Sequence, residues 1–372
     1  MARRTPSLAD TIRAALARPD APLAEALEPW EDQELTLADA EGLVRALAEI
    51  TDVKPLLDEG AGTPLQALAV LFQNEAGDDA TRHLRDKGMD ELVRLFDLAL
   101  ALTDVDPDPL LTVCKMFAVY VSRPGLERVV RAVRRFPDDY MWEIVFGVYA
   151  EEGHPLGAEL VDRLRDPLPT DFAAVALLDL ANAMARDQRL TAHPFDTGDG
   201  HQRLELWLTD SDPGNFSCAH SAAAALPFID AKARNPLAAL AMDHPDPDVQ
   251  MEAAWASAHR GGTAGLTFLA RMCEDPNYSL AAQQYLEDLG QSDRVPPRAL
   301  EPNFHALAQM CQWLRHPNEY GEPPTHIELY DTRELDWPPT DDRRRVWLFK
   351  YTYAGLAADG TDTVRLGMVG SI

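Results

Sequence analysis

Residues 243–262 read DHPDPDVQMEAAWASAHRGG, and this stretch supports two interpretations that lead to different folds. Histidines and acidic residues this close together are typical of a metal or catalytic site. Alternatively, Asp246 and Pro247 mark the start of a helix, and Gly261 and Gly262 mark its end. The second interpretation makes the polar residues part of the architecture. It predicts that the same arrangement recurs elsewhere in the chain.

The arrangement does recur. An acidic residue beside a proline, followed by an apolar run with helical spacing, occurs at Pro107, Pro137, Pro167, Pro213, Pro247 and Pro276. Successive prolines are about 30 residues apart, except in one longer interval that contains the segment 191–203. A sustained period of this size is typical of stacked supersecondary units, so the repeat favours the architectural interpretation.

Each interval contains two helix-like patterns. Between Pro247 and Pro276, the runs VQMEAAWASAHR and TAGLTFLARMC each place apolar residues along one helical face, and Gly261 and Gly262 separate them. Neither run alternates as a strand would. An aspartate beside each proline can accept a hydrogen bond from the exposed amides of the next helix and complement its dipole. We therefore expect helix pairs joined by Asp-Pro turns.

Residues 234–290 resemble the short HEAT-like repeats of bacterial proteins. They contain a turn Asp-Pro, Val249 two residues after the proline, paired alanines and a closing glycine. Weaker periodicity extends the resemblance back to about residue 36. The sequence departs from the family at Gln250, where many HEAT units carry an arginine that ladders with turn aspartates. The resemblance implies a mainly α fold, a right-handed α-solenoid of HEAT-like helix pairs with a small C-terminal β-containing module.

Three regions are predicted. Residues 1–35 form an N-terminal helical cap, residues 36–290 the HEAT-like solenoid, and residues 291–372 a helix followed by a small β module. The β module is predicted from THIELYD, RRRVWLFKYTY and DTVRLGMVG, which are rich in β-branched and aromatic residues. The segment 191–203 is too polar and glycine-rich for a helix and is predicted to be a surface insertion. The sequence stops directly on a predicted strand, which is compatible with one part of a longer protein or with a tightly docked end.

Charge and composition narrow the function classes. The chain has 34 basic and 61 acidic residues, a formal net charge of −27, which opposes binding to nucleic acid. It lacks the run of about 18 apolar residues that a membrane span needs, so no membrane association is expected. The four cysteines lie far apart in apolar runs, which is typical of buried thiols in a reducing cytoplasm. We expect a cytoplasmic protein whose partner is another protein, basic or amphipathic in character.

Motifs for metal binding or covalent catalysis are missing from the sequence. It contains neither H-E-x-x-H, C-x-x-C nor G-x-S-x-G. The group His193, Asp196, Asp199 and His201 could approach an ion, but it lacks the spacing and closing glutamate of an EF-hand. We therefore predict no catalytic residue, no metal and no cofactor.

Aromatic residues at helical positions are the remaining candidates for a binding surface. Packing between stacked helices is the alternative for each of them. The predicted partner-binding residues are Trp255, His259, Trp142, Tyr149 and Tyr285.

Two functional hypotheses follow. The first is a non-catalytic protein-protein interaction scaffold that uses the curved surface of the solenoid. The second is an enzyme or cofactor-handling, lyase-like HEAT protein with its site near the 191–203 insertion or in the C-terminal module.

Overall fold

The computed structural model describes residues 7–17, 23–30, 33–57, 63–315, 323–337, 342–355 and 360–370. These residues form a mainly helical protein with a small C-terminal three-stranded antiparallel sheet, which confirms this part of the predicted fold. The chain divides into two compact units, residues 1–200 and 201–372. The solenoid arrangement and the predicted region boundaries at residues 35 and 290 stay predictions.

Helices α1 to α11 lie in the first unit, and α12, Gly198–Thr209, extends across residue 200 into the second. In chain order the helices of the first unit are α1 Leu8–Leu16, α2 Leu23–Leu27, α3 Leu37–Glu49, α4 Pro64–Val70, α5 Asp78–His83, α6 Met89–Leu100, α7 Pro107–Val119, α8 Arg123–Arg135, α9 Met141–Ala150, α10 Gly157–Leu164 and α11 Asp171–Arg186. Helix α1 buries Leu8, Ile12 and Ala15 on one face, as an amphipathic N-terminal helix should.

The described residues of the second unit form six further helices and the sheet. They are α13 Phe216–Ala225, α14 Ala231–Asp243, α15 Pro247–His259, α16 Thr263–Met272, α17 Ser279–Asp288, α18 Pro302–Leu314, β1 His326–Trp337, β2 Asp342–Tyr353 and β3 Thr363–Gly370. Strand β2 lies between β1 and β3 and pairs antiparallel with both. Helix α18 packs on one face of the sheet, where Met310 contacts a cluster that includes Phe349 and Tyr351.

Turn aspartates start two of the predicted repeat helices. Asp106 accepts a hydrogen bond from the Asp108 amide at 3.2 Å before α7, and Asp246 accepts one from the Asp248 amide at 2.8 Å before α15. Helix α15 ends at a glycine pair, where Gly261 has a φ of 87° that favours glycine. The predicted start and stop signals are confirmed for α15.

Arginines bind helix ends about one repeat earlier in the chain. Each of Arg94, Arg135, Arg189 and Arg260 donates to backbone carbonyls in the last turn of an earlier helix or just after it, with an N–O distance of 2.7 Å from Arg94 to Leu47. The other carbonyl acceptors are Ile50 for Arg94, Leu100, Leu102 and Thr103 for Arg135, Ala150 and Glu151 for Arg189, and Pro227 for Arg260. These bonds satisfy carbonyls that a helix end leaves unpaired and complement its negative dipole.

The segment 191–203 differs from its prediction, because its last part is helical. Helix α12 begins at Gly198, and the Thr197 hydroxyl accepts a hydrogen bond from the Gly200 amide at 3.1 Å. A Cβ at Gly200 would lie 2.2 Å from the Phe195 carbonyl oxygen, so the chain folds back too tightly for any other residue. Gly200 therefore serves the close approach at the start of this helix.

Candidate functional site

Helix α15 is the central helix of the second unit and is buried on nearly every side. Its alanines allow neighbouring helices to approach closely. A Cβ at Gly265 of α16 would lie 2.1 Å from the Ala254 carbonyl oxygen, so the two backbones are in contact. Because short loops join α14 to α15 and α15 to α16, α14 and α16 run in the same direction.

Helices α14, α15 and α16 together form an open groove. It lies between α14 and α16 with α15 as its floor, and its volume is about 470 Å³. Its lining is mostly apolar and includes Ala238, Ala239, Met242, Ala254, Ala264 and Phe268. Ala239 and Ala264 are exposed, and Met242 and Phe268 are half-buried. We call this surface the α14–α16 groove.

Acidic residues lie at the C-terminal ends of both helices that wall the α14–α16 groove. Asp243 ends α14, and Glu274 and Asp275 follow α16, so the three carboxylates join the negative ends of two helix dipoles. Arg271 is the groove-lining cation at this end, and its guanidinium lies 4.9 Å from the centre of the Phe268 ring. Acidic residues thus follow both helices that wall the groove, although they do not line it.

The polar residues of the turn before α15 have structural partners. The Asp246 amide donates to His244 Nδ1 at 3.1 Å, and the Gln250 side-chain amide donates to the His244 carbonyl at 2.7 Å. Asp248 forms an ion pair with Arg315, which lies 4.7 Å from the centre of the Tyr278 ring. Burial lowers the pKa of the Arg315 guanidinium. These contacts give the turn an architectural role.

Three of the five predicted binding residues lie close together: Trp255 and His259 on α15, and Tyr285 on α17. The Trp255 and His259 rings stack with centroids 5.1 Å apart, and the Tyr285 ring lies 6.4 Å from Trp255. The Tyr285 hydroxyl donates to Glu252 Oε1 at 2.5 Å, and His220 Nε2 lies 3.5 Å from the same oxygen. We call this group the Trp255 cluster; it consists of Trp255, His259, Tyr285, Glu252 and His220. Glu252 is not among the residues predicted from the sequence, although it lies three residues before Trp255 and therefore on the same helical face.

Burial separates the five predicted residues into two groups. Trp142 and Tyr149 are fully buried, and Trp255 is only 6% exposed, so packing explains these three side chains. Trp142 Nε1 donates to the Phe136 carbonyl at 2.7 Å. His259 is exposed and Tyr285 half-buried, so they alone of the five reach the surface. No contact with a partner is expected from Trp142 or Tyr149 in this conformation.

His193 in the 191–203 segment is buried and has structural partners. Its Nε2 lies 3.1 Å from Asn182 Oδ1, and its Nδ1 accepts from the Phe195 amide at 3.4 Å. Burial lowers the pKa of His193 to about 4, so the ring is neutral at physiological pH. His154 and His244 form the same turn, in which Nδ1 accepts from the amide two residues later. Over the described ranges, no group of three His, Cys, Asp or Glu side chains is placed to hold a metal ion.

Comparison with known proteins gives no relative: no family model, curated protein or solved structure matches this chain. Within the part of the chain that the structure describes, no helix has the length and apolar character needed to cross a membrane.

Proposed function

We propose that this chain is a non-catalytic protein-interaction module and that the α14–α16 groove binds an amphipathic helix of a partner protein. The observation that carries the proposal is the groove itself, which is open, apolar and floored by alanines. Two codirectional helices with a lower helix between them leave a channel into which the apolar face of a further helix fits.

The side chains of the groove suit this occupant. Exposed Ala239 and Ala264 let a helix approach closely, and half-buried Met242 and Phe268 offer flexible and aromatic contacts at the wall. A partner leucine that becomes fully buried there contributes about 1.5–3 kcal/mol. Two or three such anchors at helical spacing are the usual basis of helix-in-groove recognition.

The charge of the surroundings favours a basic partner. Asp243, Glu274 and Asp275 outnumber Arg271 at one end of the groove, and the chain has a net charge of −27. A helix with lysines or arginines beside its apolar face would therefore associate faster and bind more tightly at low salt. Raising the salt concentration should weaken this binding because it screens the attraction.

Binding of a defined probe tests the proposal. The probe is a fluorescein-labelled Leu/Lys peptide of about five helical turns with leucines on one face, and the control peptide has the same composition in scrambled order. Fluorescence anisotropy should show binding of the amphipathic peptide alone. Ala239→Trp, which fills the groove, should weaken that binding at least about tenfold.

Ala231→Trp is the matched control, because Ala231 is an exposed alanine of the same helix that does not line the groove. Both variants should keep the far-UV circular dichroism of the wild type. Equal binding by the wild type and Ala239→Trp, or equal binding of the scrambled peptide, would contradict the proposal.

HEAT-like stacking and a cytoplasmic location belong to the same proposal. The recurring acidic-proline turns and the arginine-to-carbonyl bonds between successive repeats support the stacking. The four free cysteines, three of them buried, are compatible with a reducing compartment. The lyase-like alternative has less support at the 191–203 segment, because His193 there is neutral, buried and hydrogen-bonded.

A further inference from the structure

Strand β3 forms an edge of the C-terminal sheet that no other strand of the described residues covers. The opposite edge, β1, carries five charged residues among its twelve and an irregularity in its pairing between Leu329 and Asp331, and both features discourage pairing with another strand. The sequence of β3, TVRLGMVG, has one charged residue, Arg365. Its pairing with β2 runs without a register shift from Tyr353 opposite Thr363 to Val346 opposite Gly370. The two edges of this sheet therefore differ in their readiness to accept a further strand.

The direction of the free backbone groups follows from the hydrogen bonds of β2. The Thr352 carbonyl accepts from the Thr325 amide at 2.8 Å and so faces β1. Backbone groups alternate along a strand, so those of Tyr351 face β3 and bond to its partner Arg365. The β3 residues whose amide and carbonyl groups face the open edge are therefore Val364, Leu366 and Met368.

The same three residues form an apolar stripe on the face of the sheet opposite α18. Their side chains are 46%, 66% and 53% exposed, respectively. Arg365 and Gly367 lie on the α18 face, where a Cβ at Gly367 would come 2.8 Å from the Met310 methyl carbon. The Val364 carbonyl accepts a hydrogen bond from Arg365 Nη1 at 3.3 Å, so the open positions of the edge are chiefly those of Leu366 and Met368. An exposed apolar stripe beside open backbone positions is the feature that strand addition covers.

We propose that β3 pairs antiparallel with β3 of a second copy of this chain, around a twofold axis at Leu366. In this register Leu366 lies opposite itself, and Val364 lies opposite Met368. Arg365 lies opposite Gly367, which leaves room for the long side chain. Apolar residues thus face apolar residues, whereas a twofold axis at Arg365 would place like charges opposite each other. This self-complementarity selects a second copy as the occupant.

The pairing joins two three-stranded sheets into one of six strands and adds about six backbone hydrogen bonds. A groove of about 620 Å³ between α18 and the end of β3, lined in part by His305, Trp347 and Val369, leaves room for side chains of the added strand. The contact is small, so we expect a dissociation constant on the order of micromolar.

Salt should strengthen this dimer, because two copies with a net charge of −27 each repel one another. This response is opposite to that expected for a basic helix in the α14–α16 groove. The inference is independent of the proposed function, and either can fail without the other.

Analytical ultracentrifugation of the full chain over a concentration series tests the proposal. The wild type should show a monomer–dimer equilibrium, and Leu366→Lys should raise the dissociation constant at least about tenfold, because it places two positive charges opposite each other on the axis. Tyr330→Lys is the control: Tyr330 is 64% exposed on the protected edge strand β1, and its variant should dimerise as the wild type does.

A mixing experiment separates strand pairing from a folding defect. Leu366→Lys and Leu366→Glu should each be monomeric alone, and an equimolar mixture should form a heterodimer, because opposite charges then meet at the axis. A wild type that stays monomeric at concentrations of hundreds of micromolar would overturn the proposal. So would a dimer that both Leu366 variants leave intact, or variants that stay monomeric when mixed.

Discussion

His193 should make the stability of the first unit depend on pH. Burial lowers the pKa of this ring to about 4 from its usual value of 6.5. Because the folded pKa lies below the unfolded one, the neutral ring contributes stability that is fully present above about pH 6.5 and is lost as the pH falls towards 4. For one group with these two pKa values, linkage gives a loss of about 1.3 kcal/mol between about pH 7.5 and pH 5.5.

The perturbation is His193→Asn. Asparagine can still accept from the Phe195 amide in the turn, but it does not titrate. It loses the bond to Asn182, so the variant should be less stable by about 1–3 kcal/mol at the higher pH. That difference should narrow by about 1.3 kcal/mol at the lower pH. There, His193 is protonated in the unfolded wild type but still neutral in the folded one, so only the wild type loses stability through this residue.

Urea denaturation of both proteins, followed by far-UV circular dichroism, measures the two differences. The other titrating groups are common to both proteins, so their contributions to the pH dependence cancel. A difference in the free energy of unfolding that stays constant, or widens, as the pH falls would refute the reasoning. Such a result would mean that the ring is accessible to protons in the folded state.

Three further perturbations test other parts of the structure. Gly265→Ala places a Cβ 2.1 Å from the Ala254 carbonyl oxygen and should lower the free energy of unfolding by about 1–3 kcal/mol. Gly147→Ala, with nothing within 4 Å of the new Cβ, should raise it by about 0.5–1 kcal/mol. Urea denaturation that ranks the two variants in the reverse order would contradict the packing. Arg260→Met removes the donor that lies 3.0 Å from the Pro227 carbonyl, just after α13, and should lower the free energy of unfolding by about 1–3 kcal/mol in the same assay. A neutral effect would contradict a role in joining repeats. Half-buried Cys218 should react first with a thiol reagent in the native protein, because the other three thiols are buried; mass spectrometry that finds equal labelling would contradict this order.

The helices and strands could largely be predicted from the sequence. Asp246 and Gly261 carry the cap and stop signals of α15, and these are local in the chain, so a short window shows them. The β module was found for the same reason, because its three segments are rich in β-branched and aromatic residues. The start of α12 is not evident from the sequence, since glycines usually disfavour a helix and the close approach to Phe195 that explains Gly200 is visible only in the structure.

The candidate site was less accessible to sequence reasoning. Aromatic residues were chosen as binding candidates, but Trp142 and Trp255 fill the core, because large apolar side chains gain most from burial. The α14–α16 groove depends on exposed alanines such as Ala239 and Ala264, which in a sequence look like ordinary helix residues. The contact between Glu252 and Tyr285 joins residues 33 apart, and only the packing of α17 on α15 brings them together.

Site-specific photo-crosslinking in the cells that make this protein tests the central claim most directly. A photoreactive benzoylphenylalanine at position 239, 264 or 231 places the crosslinker in the α14–α16 groove for the first two positions and outside it for the third. The account predicts a discrete adduct with one partner protein from positions 239 and 264, weakened by added salt, and none from position 231. Equal adducts from position 231, or none from positions 239 and 264, would contradict a binding function for the groove.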